Sequence, residues 1–344
     1  MILLDSGIHE EFEFQTPALG GVKPKSLRCR AWYRFLRWTI ATAVIFGFTL
    51  LPLQSASPVA CAEDLQVPSI AFEPVPAHPV FAAADGKWDT KIRERGWIMK
   101  DETGWKLWYT GYDPAQQPPA MSLGLATSSD GITWHRSSAN PIVSDHWVED
   151  MMIVKRGGEY FMFAEGNQDQ SQLLKSTNGI HWDCIGTLDV RMKDGQPIPS
   201  GPFGTPTAYL EDGVWNLFYE RRDAGIWLAR STDMKIWTNV SDDPLILPGP
   251  EDFDAIMIAM NQVIRIGDQY VAVLHGSGSP EKPRQWCTYL ATSFDLVQWT
   301  KDARGPLRPI DEDKSSGQLV HDGHQWRLYT MHNQVDLHLP IQKP

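Results

Sequence analysis

Acidic residues stand beside apolar runs at recurring places along this chain. Asp89 lies in Lys87-Trp-Asp-Thr-Lys-Ile, Glu149 and Asp150 precede Met-Met-Ile-Val, and Asp254 precedes Ala-Ile-Met-Ile. Carboxyl groups that converge in one pocket suit glycosidic bond cleavage. One protonates the leaving oxygen, and a second activates water or attacks carbon. Crowding of like charges helps drive their pKa values apart. Further polar groups end other apolar runs: Glu165 in Phe-Ala-Glu-Gly, Glu220 in Phe-Tyr-Glu-Arg-Arg, His275 in Leu-His-Gly and His332 in Thr-Met-His. A histidine here would donate a proton or touch a sugar hydroxyl. Trp88, Trp97 and Trp147 have the ring faces that stack on sugars, although packing in a core uses the same residues.

Other chemistries lack their motifs. The chain has no H-E-x-x-H, paired C-x-x-C or EF-hand loop, no phosphate loop or dinucleotide fingerprint, and no G-x-S-x-G elbow. No cofactor is expected, and a single ion in a central channel would leave no readable motif. The formal charge is −11, with 31 Lys and Arg against 42 Asp and Glu. That balance argues against nucleic acid or an anionic membrane as partner and leaves carbohydrate. Nothing in the sequence sets the oligomeric state.

The elements that position these residues repeat. Leu125-Ala-Thr-Ser-Ser-Asp130-Gly-Ile-Thr-Trp134 has counterparts ending Asn178…Trp182, Asp233…Trp237 and Asp295…Trp299. The tryptophans recur 48, 55 and 62 residues apart. Self-similarity on that scale means stacked or radial units. Each Asp or Asn reads as a turn residue that hydrogen-bonds nearby backbone, and each tryptophan as packing. Each unit also holds an aromatic hairpin: Gly104–Tyr109, Gly158–Phe163, Gly213–Tyr219, Gly267–Leu274 and Asp322–Tyr329. Short aromatic runs bounded by turns are strands. The chain holds 15 Trp, 13 Phe and 9 Tyr, and no stretch has a sustained helical period. Five copies of a strand, hairpin, strand and Trp-bearing strand predict an all-β, five-bladed propeller of four-stranded antiparallel blades. The segment near 70–81 is expected to complete the last blade. First strands line a propeller's channel, so Asp89, Asp150 and Asp254 should meet at one end of it.

The Ser-x-Asp…Trp repeat, the hairpins and the acidic first strands resemble the five-bladed propeller glycoside hydrolases, which include families 43, 32 and 117. The resemblance covers about residues 68–340. Fructosidase motifs such as Asn-Asp-Pro-Asn-Gly are absent. The runs Phe203-Gly-Thr-Pro-Thr207, Trp215-Asn-Leu-Phe-Tyr-Glu220 and Arg327-Leu-Tyr-Thr-Met-His332 look more like the family 43 and 117 side. The resemblance implies an inverting hydrolase of plant or algal saccharides whose base comes from blade 1, with Asp89 as the match. Asp150, Glu149 or Asp254 would tune the site. Many relatives carry a Glu on the first strand of blade 3, where this chain has Thr205 and Thr207. Glu220, His275 or a blade 4 acid would then donate the proton. Two alternatives stand beside this reading. One is a carbohydrate-binding propeller without catalysis. The other is a phosphorylase, whose anion site would draw on Arg93, Arg95, Arg221 and Arg222.

Residues 1–62 read as a leader outside a single propeller domain of residues 63–344. Arg28, Arg30, Arg34 and Arg37 precede an apolar run from Trp38 to Leu53, and Ala60-Cys-Ala62 fits an A-x-A cleavage site. The expected location is periplasmic or extracellular. The alternatives are an uncleaved membrane anchor and lipidation at Cys61. Cys184 and Cys287 remain after cleavage and read as separate small hydrophobes. N-terminal sequencing of exported protein should find a start just after Ala62. A start well before residue 50 would count against cleavage there.

Overall fold

The computed structural model describes residues 71–341, except 77–78, 117–119 and 281–283. The expected leader and Cys61 lie outside the described residues. Five small sheets follow one another along the chain. Blade 1 contains Lys91–Ile92 and Trp97–Asp101, then Gly104–Tyr112, Ser122–Ser128 and His135–Arg136. Blade 2 contains Glu149–Arg156, Glu159–Gly166, Gln170–Ser176 and Asp183–Thr187. Blade 3 contains Gly204–Glu211, Val214–Glu220, Ile226–Ser231 and Ile236–Asn239. Blade 4 contains Met257–Ile266, Gln269–Ser277, Cys287–Ser293 and Thr300–Lys301. Blade 5 contains Gln318–His321, Trp326–Met331 and Gln334–Pro340.

Blade 5 is completed from the other end of the described chain. Phe72–Pro74 and Phe81–Ala82 pair antiparallel with Gln334–Pro340, which closes the ring. The propeller expected from the repeat is therefore the fold. Blade 3 departs from four antiparallel strands. The connection from blade 2 runs along its outer edge as Asp189–Arg191, parallel to Ile236–Asn239. That extra strand pairs a backbone edge that would otherwise be open.

The repeated motifs do the structural work expected of them. In blade 1 the Ser128 hydroxyl accepts from Gly131 N, while Asp130 Oδ1 accepts from Ile132 N and Thr133 N. The same turn recurs at Ser176 and Asn178, Ser231 and Asp233, and Ser293 and Asp295. The tryptophans that follow wedge against the preceding blade. Trp182 meets Trp108, Trp237 meets Phe163, and Trp299 meets Phe218, all edge-on. Cys184 and Cys287 are unbridged.

Side chains of the first strands hold neighbouring blades together around the axis. Gln318 of blade 5 accepts from Ile98 N and donates to Ile98 O of blade 1, both at 2.8 Å. Gln262 of blade 4 makes the same two-way contact with Leu319 of blade 5. Thr207 of blade 3 donates to Met260 O of blade 4. Gln318→Leu should therefore cost about 2–4 kcal/mol, because it strands a buried backbone donor and acceptor together. Urea unfolding would measure this. A change below about 0.5 kcal/mol would show that the contact contributes little.

Candidate functional site

Each first strand is interrupted near the same end. The backbone turns left-handed at Arg95, Asp150, Thr205 and Ser316, with φ between 43° and 49°. In blade 4 the register slips at Asn261 instead. In blade 2 the slip falls between Glu149 and Met152, and in blade 3 between Gly204 and Thr207. Such bulges re-aim a side chain out of the ladder. A non-glycine residue held at positive φ costs on the order of 1 kcal/mol. Four such residues at matching places in the repeat mark this rim as the special end of the channel.

Arg95 forms the floor. Its Nη2 reaches from blade 1 to Pro206 O at 2.6 Å and Thr207 Oγ1 at 2.8 Å on blade 3. It approaches Asn261 O of blade 4 at 3.5 Å. The side chain is buried, and its Nε and Nη1 have no partner among the described residues. Burial lowers its pKa to about 10, opposed by the charges of Asp150 and Glu165.

Carboxyl groups ring this floor. Burial and then the charges of Glu94 and Glu149 push Asp150 well above the usual carboxylate range, against the pull of Arg95 and Arg93. The residue as a whole is half-buried, but its Oδ1 is buried and has no partner among the described residues. Glu165 is also pushed well up, by burial and then by Asp150, even though its Oε2 accepts from Thr205 N at 2.8 Å. Glu220 accepts from Gly204 N and Asp223 N. Burial and the Asp223 charge raise it to about 7. Burial and the Glu94 charge raise Asp223 to about 6, with Arg284 pulling the other way. Gly204 separates two of these acids closely. A Cβ there would lie 2.2 Å from Glu165 Oε2 and 2.6 Å from Glu220 Oε1.

Glu94 goes the opposite way. Burial opposes its ionisation, but a hydrogen bond from His332 and the Arg93 charge hold it at about 2. His332 Nδ1 stands 3.4 Å from Glu94 Oε2, and that hydrogen bond raises the imidazole's pKa. Arg93 also binds Glu149 at 2.8 Å, and Trp147 Nε1 donates to the other oxygen of Glu149 at 2.9 Å. His275 is kept neutral, since burial lowers its pKa to about 4. Its Nδ1 lies 2.7 Å from Asn261 Oδ1, and its ring packs edge-on against Trp286.

The structure thus joins Asp150, Glu149, Glu220, His275 and His332 at one rim, with Thr205 and Trp147 serving the carboxylates. It draws Asp89 and Asp254 elsewhere. Asp89 accepts from Tyr109 Oη at 2.9 Å and from Arg136 Nε of the outermost strand at 2.7 Å. Asp254 binds Lys301 Nζ, likewise from an outermost strand, at 2.5 Å. Each is wholly buried over a second-strand glycine. A Cβ on Gly111 would meet Asp89 Cβ at 2.6 Å, and one on Gly276 would meet Asp254 Cβ at 2.8 Å. The expected Asp89–Asp150–Asp254 triad is therefore replaced by two structural ion pairs and one rim acid. Trp97 belongs to the core, Trp88 stacks on Tyr109, and Thr207 holds Arg95. These three do not line the rim as sugar contacts.

Sequence reasoning passed over Glu94, Asp169 and Asp223, and took Arg95 only as a candidate anion-binding residue. A signal for Glu94 and Arg95 existed in the repeat: Arg95, Asp150, Thr205, Asn261 and Ser316 follow one another at intervals of 55 or 56 residues. The carboxylates of Glu149, Glu165 and Asp169 offer oxygens within 4.8 Å of one another, a set that could hold a metal ion.

No protein-family model matches the chain, and no curated protein sequence does. Solved structures do. A glycosyl hydrolase from Bacteroides ovatus superimposes with a TM-score of 0.66 at 17% identity, over 80% of this chain and 94% of that one. The catalytic domain of a family 62 α-L-arabinofuranosidase from Coprinopsis cinerea gives 0.61 at 10%, over 79% and 98%. A β-1,2-mannobiose phosphorylase from Listeria innocua gives 0.59 at 11%, over 80% and 97%. At such identities the likeness is one of fold.

The placement of Asp89 makes a test. Asp89→Asn should destabilise the protein by about 1–3 kcal/mol, because Arg136 loses its buried partner while keeping some contact with water. Any turnover by the surviving folded protein should not change. A variant of normal thermal stability and reduced turnover would return Asp89 to the chemistry.

Proposed function

We propose that this protein is a glycosidase with Glu94 as the ionised base and Asp150 as the acid that protonates the leaving oxygen. One observation carries the reading: carboxyl groups on a shared rim have been driven apart, Glu94 down to about 2 and Asp150 well up. A reaction that needs an acid and a base at the same pH needs that split. Glu94 is positioned by His332 and Arg93, and Asp150 by the bulge and by the Arg95 floor. Asp150 is preferred over Glu165 because it is half-buried, whereas Glu165 is buried and already accepts Thr205 N. The charges of Glu94 and Glu149 discourage ionisation of Asp150, and Asp150 in turn raises Glu165.

In this mechanism Glu94 takes a proton from water as the oxygen attacks the anomeric carbon. Asp150 gives its proton to the departing sugar oxygen. The anomer inverts, and both carboxyls are reset by exchange with solvent. Arg95 stays charged and steadies the conjugate base left on Asp150. The likeness in fold to glycosidases supports the class. The family 43 and 117 motifs support a plant or algal saccharide, and the leader supports action outside the cytoplasm. A second reading has its own support: Arg93 stands at the rim, and one protein of similar fold is a phosphorylase. Phosphate would then replace water, and the product would be a sugar 1-phosphate.

A screen against aryl glycosides and algal oligosaccharides, in phosphate and phosphate-free buffer, separates hydrolase, phosphorylase and binding module. Glu94→Gln should lower turnover by about 10²–10⁴-fold. Asp150→Asn should do the same on saccharides and far less on a dinitrophenyl glycoside, whose leaving group needs no proton. The raised pKa of Asp150 fixes the sign of the pH effect. Activity falls as pH rises and the acid loses its proton, and Asp150→Asn should abolish that alkaline limb. Retention of full turnover by either variant would overturn its assignment.

A further inference from the structure

Behind the rim, on the top of blade 3, lies a second cavity of about 430 Å³. The turn after Glu220 divides the two. Glu220 and Asp223 belong to the rim cluster, while Arg221 and Arg222 line the outer cavity. Three features distinguish it. Its wall includes Trp227, a half-buried indole stacked on Tyr219 at 6.2 Å between centroids. Trp227 is fixed by its Nε1 bond to Asp242 O, and Tyr219 by its bond to Asn239. The two guanidinium groups also converge. A Cβ on Gly201 would lie 3.5 Å from Arg221 Nη2 and 3.8 Å from Arg222 Nη2. Finally, neither is ion-paired with a carboxylate among the described residues. Arg221 Nη2 donates only to carbonyls, Pro199 O at 2.7 Å and Ser200 O at 3.4 Å.

The one carboxylate in the cavity lining, Asp242, accepts from Lys193 N and Asn239 Nδ2 and is not ion-paired with either arginine among the described residues, so the two cations still repel one another, and Arg222 sits in a left-handed conformation, φ 55°. A bound anion would relieve both the repulsion and the unspent hydrogen-bonding capacity of the forks. An aromatic face next to such a fork suits a sugar ring bearing an acidic group. We propose that this cavity is a separate subsite for an anionic sugar unit, carboxylated or sulfated, of a longer saccharide. The proposal rests on the glycosidase reading only in taking the ligand to be a saccharide. It predicts that the chain acts on acidic oligosaccharides that extend outward over blade 3.

Calorimetric binding to the full chain tests this with four probes: trigalacturonate, a sulfated galactose trisaccharide, neutral galactotriose and inorganic phosphate. One acidic trisaccharide should bind at least about tenfold tighter than galactotriose, and which one does identifies the anion. Arg221→Gln with Arg222→Gln should erase that preference and leave turnover of a neutral aryl glycoside unchanged. Both positions are at the surface, so folding should survive, and a thermal melt checks it. Glu94→Gln should keep the preference, which separates this site from the catalytic one. Equal affinity for acidic and neutral sugars, no binding of either acid, or a preference unmoved by the Arg variants would overturn the proposal. So would phosphate binding that competes with the acidic sugar and matches it in affinity, since the sugar would then add nothing.

Discussion

The contact on which the site depends is the guanidinium of Arg95 laid across the propeller axis. It leaves blade 1 and finds its acceptors on blade 3, with Asn261 O of blade 4 within reach. A buried cation is costly unless it is paired or hydrogen-bonded. Here two backbone carbonyls and a hydroxyl satisfy one end, and the carboxyls of Asp150 and Glu165 supply the field at the other. The dependence is mutual. The acids ringing Arg95 repel one another and are raised by burial, and the central positive charge limits that rise. One residue therefore both spans the blades and sets the electrostatic balance of the rim.

The bulges explain how a repeated fold produces an unrepeated site. Five first strands run to one rim, and the backbone breaks its ladder there in every blade. Because the break recurs, five equivalent positions face the axis: Arg95, Asp150, Thr205, Asn261 and Ser316. Their chemistry differs completely, as a cation, an acid, a hydroxyl, an amide and a second hydroxyl. Just beneath, Gln262, Gln318 and Thr207 staple one blade to the next. The stapled ring resists relaxation, so the strain at positive φ is held in place by the closed architecture.

The acids of this chain fall into two groups that look alike in sequence. Asp89 and Asp254 each stand near the start of a blade beside apolar residues, as Asp150 does. Yet each lies over a glycine and pairs with a basic residue of the outermost strand, Arg136 or Lys301. The glycine is what admits the aspartate so close to the second strand. Their burial is complete and their charge is answered. Asp150 and Glu94, by contrast, are part-open to the channel and answered by charges that also serve other carboxylates.

The repeat of Ser-x-Asp…Trp and the five aromatic hairpins determined the fold, because turn chemistry and strand periodicity are local properties that a sequence carries directly. Ring closure by residues 72–82 was legible too, since the last unit lacked its tail. Glu149, Asp150, Glu220, His275 and His332 were also legible as rim candidates, for the first two begin a first strand and the other three stand at the ends of second strands. Left to the tertiary structure was which acids face the axis. Asp89 and Asp254 lie six and seven residues before the break in their first strands, whereas Asp150 stands at the break itself, and only the structure shows where each break falls. Arg136 lies 47 positions from Asp89, and Thr207 lies 112 from Arg95. The partner that makes an acid structural or chemical arrives only when the ring closes, because a buried charge takes its role from whatever folding places beside it.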